Sequence, residues 1–165
     1  ILPTAKKLDP LFIYGAGHVG RALLKIIEHT DFDIHWVDID EERFPEGSIP
    51  NVSKVIALDP ALIASHAPIN AYHVIITHSH PLDEAICFAL LSKDQFRFCG
   101  LIGSKTKNTR FRSRLSKMGI KDKQLKKLTC PIGIDEINSK HPVKVGISIA
   151  AQLAIWQEKY GTEVG

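Results

Sequence analysis

The sequence has 165 residues, 44% of them hydrophobic and 24% charged, which is typical of one globular domain spanning residues 1–165. This composition excludes a disordered chain, and no apolar run approaches the roughly 18 residues that a membrane span needs. The three cysteines lack metal-ligand spacing and indicate reduced thiols in the cytoplasm. The net charge of +3 conceals a basic segment, Lys105 to Lys127, with ten basic residues and one acid.

Short apolar runs alternate with segments of helical periodicity, which is typical of a parallel sheet covered by helices. The runs predict five strands, at Leu11–Tyr14, Ile34–Val37, Lys54–Leu58, Tyr72–Ile76 and Phe98–Ile102. Helices are expected after the first strand, from Pro81, from Gly103 to Gly119, and from Pro142. The last helix is apolar on most of its circumference, so we expect it to be buried. The predicted fold class is α/β: a doubly wound, mostly parallel, Rossmann-like sheet with helices on both faces.

The segment between the first strand and the first helix has the spacing G-x-G-x-x-G, in the residues Gly15, Ala16, Gly17, His18, Val19 and Gly20. Such a loop turns tightly, lets a pyrophosphate approach the backbone, and places it at a helix N-terminus. Asp38 ends the next strand, where a carboxylate binds a ribose and favours NAD over NADP. Arg43 is close enough in sequence to oppose that preference. The alternative is a loop that keeps its glycines for packing alone.

Three further segments are expected at the carboxyl edge of the sheet, where ligands of such folds bind. They are Thr77-His78-Ser79-His80, Gly103-Ser104-Lys105 and Cys130-Pro131-Ile132-Gly133. His78 and His80 with Asp83 resemble metal ligands, but they lack a third ligand at a defined spacing, so we expect no metal site. No nucleophile stands beside a base, so we expect no catalytic residue.

The basic segment allows three interpretations. It is a solvated helix face, an anion site built from Ser104, Lys105 and the helix N-terminus, or a surface for nucleic acid. Nucleic-acid binding favours interleaved aromatic side chains, and Phe111 is the only aromatic residue of the segment. We therefore expect no nucleic-acid partner, while the first two interpretations stay open.

Taken in order, these segments resemble the C-terminal Rossmann domain of the xanthine dehydrogenase accessory (XdhC/CoxI) family. Besides the glycine loop, the matching pieces are Val37-Asp38 with Glu42-Arg43-Phe44-Pro45, Thr77-His78-Ser79-His80 with Leu82-Asp83, Gly100-Leu101-Ile102-Gly103-Ser104-Lys105-Thr106-Lys107 with Arg110-Phe111, Cys130-Pro131-Ile132-Gly133, and Ile147-Ser148-Ile149-Ala150-Ala151-Gln152. The chain departs from the family after Gly133, where Asp135 to Ser139 replaces a glycine-containing stretch.

The resemblance implies an accessory factor, or chaperone, for a molybdenum hydroxylase such as xanthine dehydrogenase. Such a factor is a carrier rather than an enzyme: it binds the molybdenum cofactor (molybdopterin) as cargo, supports sulfuration by a cysteine desulfurase, and delivers the cofactor to the apo-enzyme. The cofactor-binding residues would then be Gly15, Ala16, Gly17, His18, Val19, Gly20, Asp38, Thr77, His78, His80, Gly103, Ser104, Lys105 and Cys130. Because the chain begins at Ile1, without the family's N-terminal domain, we expect it to be a fragment of a longer protein.

The alternative is an NAD-dependent oxidoreductase, with His78 or His80 as the proton donor to a carbonyl, or an NAD(P)-binding regulatory module. NAD therefore stays a candidate ligand of the glycine loop beside the pterin. We expect a cytoplasmic protein without a membrane partner, and homodimer formation stays open.

Overall fold

The computed structural model describes residues 8–161, which form one five-stranded sheet with helices on both faces. The strands are β1 (Asp9–Tyr14), β2 (Phe32–Asp38), β3 (Val52–Ile56), β4 (Tyr72–Ile75) and β5 (Phe98–Leu101). The helices are α1 (His18–Ile27), α2 (Pro60–Ser65), α3 (His80–Lys93), α4 (Lys105–Lys117), α5 (Asp122–Leu125) and α6 (Pro142–Tyr160), and a 3₁₀ turn covers Glu41–Arg43. None of the described helices is both long and apolar enough to cross a bilayer.

All neighbouring strands are parallel, and their order across the sheet is β3-β2-β1-β4-β5. The chain therefore runs outward from β1 to β3 and then crosses back to β4 on the other side of β1. In sheets of this winding, ligands bind in a crevice outside the carboxyl ends of the strands where the direction reverses, which here are β1 and β4. This confirms the predicted Rossmann-like, doubly wound fold.

Successive side chains of β1 point to opposite faces of the sheet and enter two separate cores. Leu11 and Ile13 pack with residues of α1 and α6 on one face. Phe12 and Tyr14 pack with residues of α2, α3 and α4 on the other. The central strand β1 and its neighbours β4 and β5 on one side are consequently buried on both faces, whereas β3 at the edge of the sheet has no buried residue.

Two predicted elements need correction. The third strand covers Val52–Ile56 instead of 54–58, because its ladder with β2 ends where Ile56 pairs with Asp38, and Leu58 is 94% exposed. The expectation that the last helix is buried is wrong. Ile149 and Leu153 of α6 reach the core, but Val143 and Ile147 are 49% and 45% exposed, because the face of α6 that carries them lies away from α1 and the sheet.

Candidate functional site

The glycine loop, the end of β4 and the end of β5 lie at one edge of the sheet, as predicted. The backbone of Gly15 lies against Ile76 and Thr77, since a Cβ placed on Gly15 would come within 2.5 Å of the Ile76 carbonyl oxygen. Thr129 pairs in parallel with Gly100 and extends the sheet beyond β5. This pairing brings Cys130 to the same edge.

The three glycines of the loop differ in what surrounds them. Gly15 has a φ of +122°, a conformation that favours glycine. A Cβ on Gly20 would collide with the Gly15 carbonyl oxygen at 2.3 Å. Gly17 is exposed, and none of the described atoms lies within 4 Å of the position its Cβ would take. Gly15 and Gly20 are therefore required by packing, whereas packing does not explain Gly17.

The other residues of the loop lie between the end of β1 and the first turn of α1. Ala16 is buried, and its N–H donates to Oδ2 of Asp38 at 2.8 Å. His18 is the first residue of α1 and is exposed, while Val19 is half-buried against the core. The positive end of the α1 dipole thus faces the crevice through Gly17 and His18.

Asp38 is only 3% exposed, and backbone amides occupy both of its carboxylate oxygens. Oδ1 accepts from the N–H of Ile39 at 2.7 Å, and Oδ2 accepts from Ala16 as described above. Arg43 Nε lies 3.6 Å from Oδ1. Asp38 therefore fastens the glycine loop to the end of β2 instead of projecting into the crevice.

The segment after β4 is organised by a buried carboxyl group. Asp83, 2% exposed, accepts a hydrogen bond from the Thr77 N–H, and the Thr77 hydroxyl also donates to it. Burial raises the pKa of Asp83 to about 6, although the hydrogen bonds from Thr77 oppose the rise. The sequence pointed to Asp83 as a first-turn acid of this helix and as one of the residues that match the family, but not to its hydrogen bonds with Thr77.

His78 and His80 are both exposed and face different neighbours. His78 Nε2 lies 3.1 Å from Nη2 of Arg43, across the end of β1. The His80 ring meets the edge of Phe111 on α4, with 6.3 Å between ring centroids. Within residues 8–161 no group of three histidine, cysteine or acidic side chains is arranged to hold a metal ion.

At the end of β5, Ser104 caps α4 by accepting a hydrogen bond from the Lys107 N–H at 3.2 Å. Lys105 is the first residue of α4 and is exposed. The Sγ atom of Cys130 lies 3.6 Å from the position that a Cβ on Gly103 would occupy. These residues form the far side of the crevice, next to the thiol.

Cys130 also lines an open cleft of about 510 Å³, between α4, the 129–136 segment and α6. Burial raises the pKa of this thiol to about 11, with the nearby Arg112 opposing the rise. The thiol is thus protonated near neutral pH. Arg112 does not serve the cleft as a free cation, because it donates to Asn108 and to the carbonyl oxygens of Leu125 and Leu128.

A parallel, doubly wound sheet with a glycine loop at the winding reversal defines the class of Rossmann-type domains. The XdhC Rossmann domain family matches residues 11–153, and the chain belongs to this family. The predicted resemblance is therefore confirmed.

Two similar proteins illustrate the relationship. A crystal structure described as a xanthine dehydrogenase from Bacillus halodurans has a TM-score of 0.76 and 25% identity to this chain, covering 93% of this chain and 44% of that one. The uncharacterized protein YqeB of Escherichia coli is 25% identical over 144 residues, which is 87% of this chain and 26% of that protein. The chain thus spans a quarter to less than half of the length of these relatives.

Proposed function

We propose that this domain is part of an accessory factor for a molybdenum hydroxylase such as xanthine dehydrogenase. It holds the molybdenum cofactor as cargo at the carboxyl edge of the sheet, supports its sulfuration by a cysteine desulfurase, and aids its insertion into the apo-enzyme. Membership of the XdhC Rossmann domain family supports this role, as does the likeness to a structure described as a xanthine dehydrogenase.

The open space at Gly17 is the observation on which the proposal rests. A loop kept for folding alone would need Gly15 and Gly20 but could carry a side chain at Gly17. A phosphate that contacts the backbone at the N-terminus of α1 needs that space. The residues present therefore fit a ligand that bears a phosphate group, and the pterin cofactor is such a ligand.

The remaining edge residues suggest how such a cargo is oriented. With its phosphate on the glycine loop, the cargo extends past His78 and His80 toward Gly103, Ser104 and Lys105. Of the residues proposed to bind the cargo, Cys130 alone also lines the open cleft of about 510 Å³. A metal ion that reaches the Cys130 thiol would have to displace its proton, since the pKa is raised to about 11.

The test is retention of molybdenum and pterin after incubation with released molybdenum cofactor and desalting. We expect stoichiometric retention by the unaltered protein, less by Gly17→Ala, and little by Gly17→Val, because each added carbon fills the approach to the loop. Thermal unfolding serves as the control. Both variants should lose no more than about 1 kcal/mol, because the new side chain meets open space, although Ala and Val are poorer N-cap residues than Gly at the start of α1. Equal retention by Gly17→Val, or none by the unaltered protein, would contradict the proposal.

The oxidoreductase alternative stays a prediction. Steady oxidation of NADH in the presence of a carbonyl compound would favour it, and activation of an apo-hydroxylase by the loaded protein would favour the accessory role.

A further inference from the structure

The sequence predicts that Asp38, at the end of β2, binds the ribose of a nucleotide. In the structure its carboxylate is buried and does not face the crevice. Both oxygens of Asp38 already accept backbone hydrogen bonds, from Ile39 at 2.7 Å and Ala16 at 2.8 Å. Because Asp38 is only 3% exposed, the lone pairs that these amides leave free are largely out of reach of a ribose diol. Asp38 is thus committed to holding the loop, and the discrimination between nucleotides falls to another residue.

Arg43 is the residue that covers this end of the crevice. Its guanidinium reaches from the 3₁₀ turn after β2, past Asp38, to His78 after β4, and so crosses the carboxyl end of β1. A guanidinium only donates hydrogen bonds, so His78 Nε2 is the acceptor and its imidazole is neutral in this contact. Nε of Arg43 is buried and faces Asp38, 3.6 Å from Oδ1, without a hydrogen bond to any described residue. The side chain is nevertheless 37% exposed, so the donors left for a ligand are those at the outer end of the guanidinium.

A second arginine fixes the backbone that carries this guanidinium. Arg21 on α1 donates to the carbonyl oxygen of Arg43 at 2.6 Å and to that of Ala16 at 3.3 Å. Asp40 caps the 3₁₀ turn by accepting a hydrogen bond from the Glu42 N–H at 3.1 Å. The turn and the glycine loop are therefore joined, and Arg43 is positioned before any ligand arrives.

We infer that Arg43 is the specificity-determining residue of this crevice and selects a nucleotide whose ribose carries a phosphate monoester over one with a free 2′-hydroxyl group. A phosphate takes two hydrogen bonds from a guanidinium in a fork geometry and is a stronger acceptor than neutral imidazole. On binding, the 2′-phosphate replaces His78 as the partner of Arg43, while Asp38 keeps its amides. The crevice then prefers NADP to NAD, opposite to what Asp38 alone predicts.

The experiment compares NADP⁺ and NAD⁺ by isothermal titration calorimetry at constant ionic strength. We expect NADP⁺ to bind at least about tenfold more tightly to the unaltered protein, as one strong charge-assisted pair permits. Arg43→Ala should abolish this preference by weakening NADP⁺ alone, and Arg43→Lys should keep part of it. Lys123→Ala is the matched control, since it removes one exposed positive charge on α5, beside α3 and α4 at the opposite side of the sheet.

Three results would overturn the inference: equal or tighter binding of NAD⁺, an unchanged ratio in Arg43→Ala, or no binding of either dinucleotide at millimolar concentration. The measurement concerns the same crevice as the proposed function but uses no molybdenum cofactor. Its failure would leave the retention of molybdenum and pterin unaffected, so the two failures are distinguishable.

Discussion

Asp83 and His73 are buried ionisable residues of the same core, and burial moves their pKa values in opposite directions. The pKa of Asp83 rises to about 6, and that of His73 falls to about 3. In both cases removal from water penalises the charged form, which is the carboxylate of one and the imidazolium of the other. Each residue consequently makes the stability of the fold depend on pH, with opposite sign.

Asp83 is expected to destabilise the fold as the pH rises. Between pH 4 and pH 6 the native state binds more protons at this site than the unfolded state, whose pKa is near 3.8, so the free energy of unfolding decreases with pH. Asp83→Asn removes the titration. We expect the variant to gain on the order of 3 kcal/mol relative to the unaltered protein between pH 4 and pH 7. Urea denaturation across this range measures the difference, and a pH-independent difference would contradict the raised pKa.

His73 is expected to destabilise the fold as the pH falls. Its Nδ1 lies 2.9 Å from the Tyr14 hydroxyl oxygen. His73 is protonated below about pH 6.5 in the unfolded state but only below about pH 3 in the native state, so the unfolded state binds more protons between these values. His73→Asn keeps a hydrogen-bonding atom near the position of Nδ1 and removes the titration. Its stability relative to the unaltered protein should therefore rise on acidification from pH 6.5 to pH 4. The cavity it leaves shifts the free energy at every pH, so only the slope is diagnostic.

At the scale of elements, α6 shows how helical periodicity overstates burial. Two apolar rows along this helix predict contacts on most of its surface, but only the row with Ile149 and Leu153 faces α1 and the sheet. Val143 and Ile147, which belong to the other row, are each about half-exposed. Periodicity identifies a helix and its apolar faces, whereas the number of neighbours decides how many faces are covered.

Two isoleucines of α6 give a matched test of this assignment. Ile149→Ala should cost about 2–5 kcal/mol, because Ile149 is fully buried, whereas Ile147→Ala should change the free energy of unfolding by less than about 0.5 kcal/mol. Chemical denaturation of both variants checks this. Similar losses at the two positions would mean that another surface covers Ile147 in the protein.

Short elements were the part of the fold that periodicity missed. The 3₁₀ turn at Glu41–Arg43, the six-residue α2 and the four-residue α5 are too brief to show a repeat. The first of these carries Arg43, on which the inference about nucleotide selection rests. Without that turn, Arg43 is one of many surface cations, and its reach to His78 was not foreseeable from the sequence.

At the scale of the whole molecule, the sequence alone determined the parallel sheet, the position of the glycine loop and the family. These depend on local information: apolar runs of strand length, glycines at fixed spacing, and motifs in a fixed order along the chain. The edge that joins Thr77 and Gly103 also followed, because parallel strands bring their carboxyl ends to one side. Cys130 reaches this edge through the pairing of Thr129 with Gly100, where the sequence predicts no strand.

Only the tertiary structure decided what surrounds each of those residues. Gly17 was distinguished from Gly15 and Gly20 by the space around it, and Asp38 was assigned to the loop by two amides that approach it from different segments. The pKa of Asp83 and the placement of Arg43 opposite His78 likewise depend on atoms distant in sequence. Burial, hydrogen-bond occupancy and desolvation are properties of neighbours in space, and a linear pattern of residue types does not contain them.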